Sequence, residues 1–298
     1  MDDSSHCVLR RMIVDLMKKM EKIILVVFGA NLAPNALNFA CYLSGMGRSR
    51  LTGYFFEDDK YEDTPVMKKA WGFPYVETIV AGDTQDGISR KAKTENNMKV
   101  FMETCGKKGM LTTALRCKPS GIDEIVAESN FADLLIIDAA SFDDSDEQEF
   151  PSDVVRKILA SALCPVVIAP ASHSPIEEIV FCYDGSPSSV YAMKQFVYLF
   201  PDQDSARATV VQANEAEKIP ENEKKRVMQW LSRHYNYADF IALKGDGENE
   251  LLNYLLKKKH AMVIMGAYGR NMISRFFRQS HADLLIKTLA YPVFIAHH

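Results

Sequence analysis

The chain contains two successive stretches with the same alternation of strand-like and helix-like segments. In the first stretch, unbroken apolar runs such as Ile23–Val27 and Ala132–Ile137 are separated by segments with helical periodicity. The second stretch repeats this order from Ile179–Tyr183 to Val293–Ala296. Each stretch therefore carries five predicted strands. Because crossovers between parallel strands must cover the sheet, the sequence predicts an α/β fold of two tandem open parallel five-stranded sheets with helices on both faces.

A constant offset between the two stretches indicates a duplication. Asp138, after the fourth predicted strand of the first stretch, falls on Gly266 when 128 is added to its number. The same offset carries Ser152 onto Ser280, and both serines stand before a predicted helix. Two distant pairs at one offset are hard to obtain by chance, so we interpret the halves as copies of one unit.

Prolines and polar residues between Pro170 and Pro175 mark a boundary between the copies. We divide the chain into an N-terminal extension with a short helix (1–20), a first domain (21–170), a linker (171–175) and a second domain (176–298). Residues 64–84 predict no regular secondary structure, and we interpret them as an irregular insertion.

Composition limits the class of function. The net charge of −4 implies no general affinity for nucleic acid or for an anionic membrane. No apolar run reaches the roughly 18 residues of a membrane span, and residues 1–20 lack the pattern of a secretory signal. The six cysteines form no CxxC pair and no cluster with metal-ligand spacing. We interpret them as small buried hydrophobes in a reducing cytoplasm.

The stretch from Met262 to Ser280 predicts an anion site. An apolar strand ends at Gly266, Gly269 follows, and three arginines (Arg270, Arg275 and Arg278) precede the capping serine without an acidic residue among them. Glycines let backbone amides approach a phosphate, and the positive end of a helix dipole favours negative charge. Taken alone, the two glycines are equally compatible with a simple turn of the chain.

The first copy differs at the corresponding positions. Asp138 and Ser141 stand where the second copy has Gly266 and Gly269, and Phe28 stands where it has Asp184. The loop after Ser141 carries five acidic residues and no basic one: Asp143, Asp144, Asp146, Glu147 and Glu149. Carboxylates repel a phosphate chain that arginines attract, so we expect nucleotide binding in the second copy alone.

Several segments carry a family resemblance. IVFCYDGSPSSVYAM (179–193), ALKGDGENELLNYLLKKKHAMVIMGAYGR (242–270) and LAYPVFIAH (289–297) resemble the first, the third-to-fourth and the closing strands of the universal stress protein family. Nucleotide-binding members carry Gly, two residues, Gly, nine residues, Gly and then Ser or Thr. Gly266, Gly269 and Ser280 match this motif, whereas Gln279 replaces the third glycine. A side chain there either crowds the phosphates or donates its amide to one. The first copy resembles the family only in its strand–helix order and its SALCPVVIAP ending (161–170).

The resemblance implies the strand order 3-2-1-4-5, with a ligand between strands 1 and 4, where an open α/β sheet also places it. By matching position, the implied nucleotide-binding residues are Tyr183, Asp184, Ala213, Met265, Gly266, Gly269, Arg270, Gln279, Ser280 and His281. Asp184 and the residue near Ala213 would contact the base and ribose, and the others would hold the phosphates. The resemblance further implies pairing of the last strands, Val166–Ala169 with Val293–Ala296, and leaves a homodimer open.

The functional expectation is a cytoplasmic stress-response sensor or adaptor that binds ATP or a related adenine nucleotide, with or without Mg²⁺, through its second domain. We expect no enzyme, because no catalytic residue, P-loop or metal cluster is evident, although slow ATP hydrolysis remains compatible with the sequence. The alternative is a nucleotide-free interaction protein of the same fold with both sites closed. An adenylating enzyme is disfavoured because its motifs are absent.

Overall fold

The computed structural model describes residues 20–28, 32–47, 49–56, 64–70, 73–79, 85–118, 121–138, 153–170, 175–212, 219–245, 247–266 and 291–296. In the first copy these residues form β1 (Lys22–Val27), α1 (Pro34–Gly47), β2 (Arg50–Phe56), β3 (Thr64–Ala70), β4 (Phe73–Ile79), α2 (Gln85–Lys107), β5 (Thr112–Cys117), α3 (Ile122–Glu128), β6 (Leu134–Ile137), α4 (Asp153–Ser161) and β7 (Val166–Ile168). In the second copy they form β8 (Glu178–Cys182), α5 (Pro187–Leu199), β9 (Arg207–Gln212), α6 (Glu221–Leu231), β10 (Tyr237–Ala242), α7 (Gly247–Leu256), β11 (Ala261–Gly266) and β12 (Val293–Ala296).

Ten of these strands form one continuous sheet in the order β10-β9-β8-β11-β12-β7-β6-β1-β2-β5. Numbered within each copy, both halves have the strand order 3-2-1-4-5, so the predicted fold class and topology are confirmed. The strands within each half are parallel, whereas β12 and β7 pair antiparallel at the centre of the sheet. The expected pairing of the two last strands is therefore present within one chain.

The register of the strands supports the duplication. Ile23 of β1 pairs with Leu134 of β6, and Ile179 of β8 pairs with Met262 of β11. The residue numbers of equivalent positions in the two copies differ by 156 in the first strand (179 − 23) and by 128 in the fourth strand (262 − 134), as the sequence offsets require. Equivalent residues of the two copies thus occupy equivalent places in the sheet.

Helices cover both faces of the sheet, and each face has one apolar cluster that runs through both copies. Helices α1, α2, α5 and α6 pack on one face, where Phe196 of α5 meets Phe294 of β12 edge to face with ring centroids 5.4 Å apart. Helices α3, α4 and α7 pack on the other face. The central strands are apolar throughout because both of their faces are covered; Ile23–Val27 has no exposed side chain.

The prediction of an irregular insertion at residues 64–84 is wrong for most of that segment. Strands β3 and β4 form an antiparallel hairpin with Thr64 opposite Ile79 and Ala70 opposite Phe73. The segment carries prolines at Pro65 and Pro74, which weaken a strand prediction although an edge strand tolerates them.

Two other expectations concern residues that the structure does not describe: the N-terminal helix in residues 1–19 and the linker residues 171–174. The division into domains stays a prediction. Among the helices that the structure does describe, none combines the length and the apolar character that crossing a membrane requires.

Candidate functional site

The carboxyl end of β8 forms a tight turn into helix α5. Asp184 accepts a hydrogen bond at Oδ1 from the backbone N–H of Ser186 at 2.9 Å, and Gly185 adopts a positive φ of 77°. Ser186 caps the helix by accepting from the N–H of Ser189 at 3.1 Å. A side-chain-capped turn of this kind fixes the Asp184 carboxylate at the strand end, partly exposed and beside the positive end of a 13-residue helix.

Gly266, at the end of the neighbouring strand β11, allows α5 to approach closely. A Cβ at this position would lie 2.5 Å from the carbonyl carbon of Ser188 and 2.6 Å from the backbone nitrogen of Ser189. These are backbone atoms, which a side chain cannot displace without moving the helix. The glycine at this motif position therefore has a packing role, whatever its role toward a ligand. Met265, the preceding residue, is buried in the apolar cluster of α3, α4 and α7.

Tyr183 lies beside Asp184 in sequence but lines a cavity between α5 and α6. This cavity has a volume of about 280 Å³ and is otherwise lined by Val190, Met193, Lys194, Glu223, Arg226, Val227 and Trp230. The Tyr183 hydroxyl donates to Oε1 of Glu223 at 2.5 Å. Burial raises the pKa of Tyr183, and the hydrogen bond and negative charge of Glu223 add to the effect. The tyrosine is thus a neutral donor whose hydroxyl is already engaged.

In the first copy, aromatic rings fill the place that corresponds to Asp184 and Ala213. Phe28 corresponds to Asp184 at the offset of 156. Phe56 corresponds to Ala213 at an offset of 157. The same offset separates Leu51 of β2 from Ala208 of β9, which pair with the equivalent residues Ile23 and Ile179. The rings of Phe28 and Phe56 stack with centroids 4.9 Å apart and an interplanar angle of 20°. In the first copy the protein's own aromatic rings therefore occupy this place at the strand ends.

A carboxylate stands in the first copy at the position that corresponds to Gly266. Asp138, which corresponds to Gly266, is 1% exposed, and its Oδ2 accepts from the backbone N–H of Ala33 at 3.0 Å, directly before helix α1. The positive end of that helix is where an anionic ligand would bind, so the first copy supplies its own anion.

Four of the predicted site residues, Tyr183, Asp184, Met265 and Gly266, lie at the ends of β8 and β11, but the side chains of Tyr183 and Met265 are buried on opposite faces of the sheet. The other six, Ala213, Gly269, Arg270, Gln279, Ser280 and His281, lie outside the described residues. Within the described part of the chain, no group of three His, Cys, Asp or Glu side chains could hold a metal ion.

Two features of this region were not predicted from the sequence. Glu223 lies in the first turn of α6, where acidic residues are common because they interact favourably with the helix dipole. Its presence there therefore gave no reason to predict a hydrogen bond from Tyr183. The sequence indicates the Phe28–Phe56 stack only weakly. Phe28 follows β1 and Phe56 ends β2, and the duplication aligns both positions with residues of the predicted site.

No protein-family model matches the chain, and no curated protein matches it. Solved structures do match. A universal stress protein from Archaeoglobus fulgidus DSM 4304 has a TM-score of 0.59 and 14% identity, covering 92% of this chain and 98% of that one. A putative universal stress protein from Pseudomonas aeruginosa UCBPP-PA14 has a TM-score of 0.55 and 14% identity, covering 93% of each chain. A functionally unknown protein from Pseudomonas aeruginosa PAO1 has a TM-score of 0.56 and 13% identity, covering 93% of this chain and 92% of that one. The chain therefore has the universal stress protein fold in tandem, and the predicted resemblance is confirmed at the level of fold.

Proposed function

We propose that the second copy binds an adenine nucleotide such as ATP at the ends of β8 and β11, and that the protein acts as a ligand-dependent stress sensor or adaptor in the cytoplasm. The first copy would serve as a closed structural partner. Catalysis forms no part of the proposal, because neither the sequence nor the described residues offer a general base placed against a reactive atom.

The observation that supports the proposal is the contrast between equivalent positions of the two copies. Phe28 and Asp138 fill the first crevice at both ends, by ring stacking and by a carboxylate at a helix N-terminus. Their counterparts in the second copy differ. Asp184 has a carboxylate that accepts a hydrogen bond, and Gly266 has no side chain. A duplicated fold that closes one crevice with its own groups and leaves polar groups in the other is best explained by a ligand in the second.

Each end of the second crevice suits a different part of the nucleotide. A partly exposed carboxylate such as that of Asp184 accepts hydrogen bonds from ribose hydroxyls. The N-terminus of α5 contributes positive potential to the phosphate end. Arg270, Gln279 and Ser280 follow β11 in sequence, and we assign them to the phosphates on the strength of the sequence motif alone.

Calorimetric titration of the full chain with ATP, with and without Mg²⁺, tests this proposal. We expect the wild-type protein to bind and Asp184→Ala to lose at least tenfold in affinity, about 1.4 kcal/mol, since a charged acceptor for the ribose is removed. Asp202→Ala is the matched control, because Asp202 is an exposed aspartate in the turn after α5, at the opposite end of the sheet. Arg270→Ala should weaken ATP more than adenosine.

The outcomes separate two functions. If the wild-type protein does not bind ATP, the nucleotide-free interaction protein is the better description, and one observation favours it: the backbone of α5 lies so close to β11 that Gly266 has no room for a Cβ. The same contact makes Gly266→Asp unsuitable as a binding test, because a loss of affinity would be confounded with a displaced helix.

A further inference from the structure

Two thiols of the first copy lie in contact between helices. Sγ of Cys41 on α1 and Sγ of Cys105 on α2 are 3.7 Å apart, and both side chains are buried. A disulfide requires an S–S distance of about 2.05 Å, so the two atoms would have to approach by less than about 2 Å. Neither residue belongs to the nucleotide site that we propose.

The two thiols differ in their access to solvent. Cys41 lines an open groove of about 680 Å³ together with Asn38, Tyr42, Gly45, Met46, Lys108 and Met110. Cys105 does not line this groove and has no exposed surface. A small polar oxidant that enters the groove would therefore reach Cys41 first, with Cys105 directly behind it.

The surroundings favour a thiolate on Cys41. The hydrogen bond from the Cys105 thiol, with a further contribution from the Lys108 ammonium, lowers the pKa of Cys41 to about 7 against the opposing effect of burial. Lys108 is held at the groove through a 3.3 Å hydrogen bond from its Nζ to Oδ1 of Asn38. The pKa of Cys105 is raised by its hydrogen bond with Cys41 and by burial, so Cys105 keeps its proton and is not the thiol that attacks first. Burial also raises the pKa of Cys117 to about 11 and of Cys164 and Cys182 to about 12, so these three thiols do not attack a peroxide either.

We propose that Cys41 and Cys105 are a peroxide-reactive pair, in which Cys41 is the attacking thiol and Cys105 the resolving thiol. The Cys41 thiolate attacks one oxygen of a hydroperoxide, the O–O bond breaks, and Cys41 becomes a sulfenic acid while hydroxide (or an alkoxide) leaves. The Cys105 sulfur then attacks the sulfenic sulfur, the S–S bond forms, and the sulfenic oxygen leaves as water with the proton from Cys105. Two thiols lose two electrons, and the peroxide gains them.

The disulfide would tie α1 to α2 across 64 positions of the chain. Closing so long a loop restricts the unfolded chain, so the oxidised protein should unfold at a higher temperature than the reduced one. The proposed modification would thus signal peroxide through the first copy, independently of any nucleotide in the second.

The test exposes the fully reduced wild-type protein to a small molar excess of hydrogen peroxide and maps disulfides by mass spectrometry of non-reduced peptides. We expect a Cys41–Cys105 disulfide, a rise in Tm, and reversal of both by dithiothreitol. In Cys105→Ser, whose hydroxyl can still donate a hydrogen bond to Cys41, dimedone should trap a sulfenic acid on Cys41; Cys41→Ala should form no such adduct on Cys105. Cys117→Ala, which removes a buried thiol of the same copy, should form the Cys41–Cys105 disulfide as the wild type does.

The wild-type experiment decides the matter even where a variant folds poorly, and Tm and circular dichroism show which variants are folded. The proposal is overturned if peroxide leaves both thiols of the wild type reduced. It is equally overturned if oxidation pairs other cysteines, or if a folded Cys105→Ser protein gives no dimedone adduct on Cys41.

Discussion

Gly266 illustrates how one absent side chain sets the distance between a strand and a helix. Its neighbours are the backbone atoms of Ser188 and Ser189, and its φ is not positive, so the glycine is required for space and not for an unusual backbone conformation. In the first copy the equivalent residue Asp138 accepts a hydrogen bond from the backbone N–H of Ala33. Helix α1 begins seven residues after the end of β1 (Val27 to Pro34), whereas α5 begins five residues after the end of β8 (Cys182 to Pro187).

We predict that Gly266→Ala destabilises the protein by about 1–3 kcal/mol, because the added methyl group would overlap backbone that can only move with α5. Urea unfolding measures this free energy. The matched control is Gly45→Ala in α1, where a Cβ would meet nothing within 4 Å; there, we expect a gain of about 0.5–1 kcal/mol from better helix propensity. Equal stability of the Gly266→Ala and wild-type proteins would contradict the packing role.

At the scale of secondary-structure elements, the pairing of β7 with β12 makes one sheet out of two. Val167 lies opposite Phe294 in this pair, and both side chains are fully buried in the cluster that contains helices of both copies. Burying an edge of each half-sheet against the other removes two rows of unpaired backbone groups from solvent. The two copies should therefore unfold together.

Val167→Ala should lower the free energy of unfolding by about 1.5–3 kcal/mol, since it leaves a cavity at the central pair of strands. The unfolding of each copy is followed by its own probe. Fluorescence of Trp230, measured in a Trp71→Phe background, reports on the second copy, and alkylation of the buried Cys105 reports on the first. Both midpoints should shift together. Val100→Ala on α2, where the valine is 42% exposed, should change stability by less than about 0.5 kcal/mol. Separate midpoints for the two probes would show that the copies unfold independently.

At the scale of the whole molecule, the topology could be predicted because each buried strand carries an apolar run and the duplication supplies every strand twice. The hairpin β3–β4 could not, since the described residues of the second copy contain no equivalent hairpin and its lysines and prolines interrupt the apolar alternation of a strand. The position of Asp184 was predicted from the resemblance and from the end of a predicted strand. The hydrogen bond from Tyr183 to Glu223 could not be predicted. It depends on how α6 packs beside α5, and the sequence of neither helix alone determines that packing.

Stability of the whole molecule should fall at alkaline pH, because the buried thiols of Cys164 and Cys182 keep their protons when folded. Burial raises the pKa of Cys164 in the first copy and of Cys182 in the second from an ordinary value of 9.0 to about 12. Below pH 9, folded and unfolded chains both hold these two protons, so Cys164 and Cys182 leave the free energy of unfolding unchanged there. Between pH 9 and 12 the unfolded chain releases them and the folded chain does not. Each thiol then lowers the free energy of unfolding by a slope that approaches about 1.4 kcal/mol per pH unit.

Urea unfolding under reducing conditions at pH 8 to 11 measures that slope. We expect Cys164→Ala and Cys182→Ala each to reduce it by about 1.4 kcal/mol per pH unit, and the double variant to reduce it by about twice as much, because the two residues lie in different copies. Val180→Ala, in the same strand as Cys182 and equally buried, should lower stability by the same amount at every pH, because it removes no titrating group. A slope above pH 9 that neither cysteine variant changes would mean that other groups, among them the buried Tyr235 and Tyr291 whose pKa values are also raised, carry the alkaline sensitivity of the molecule.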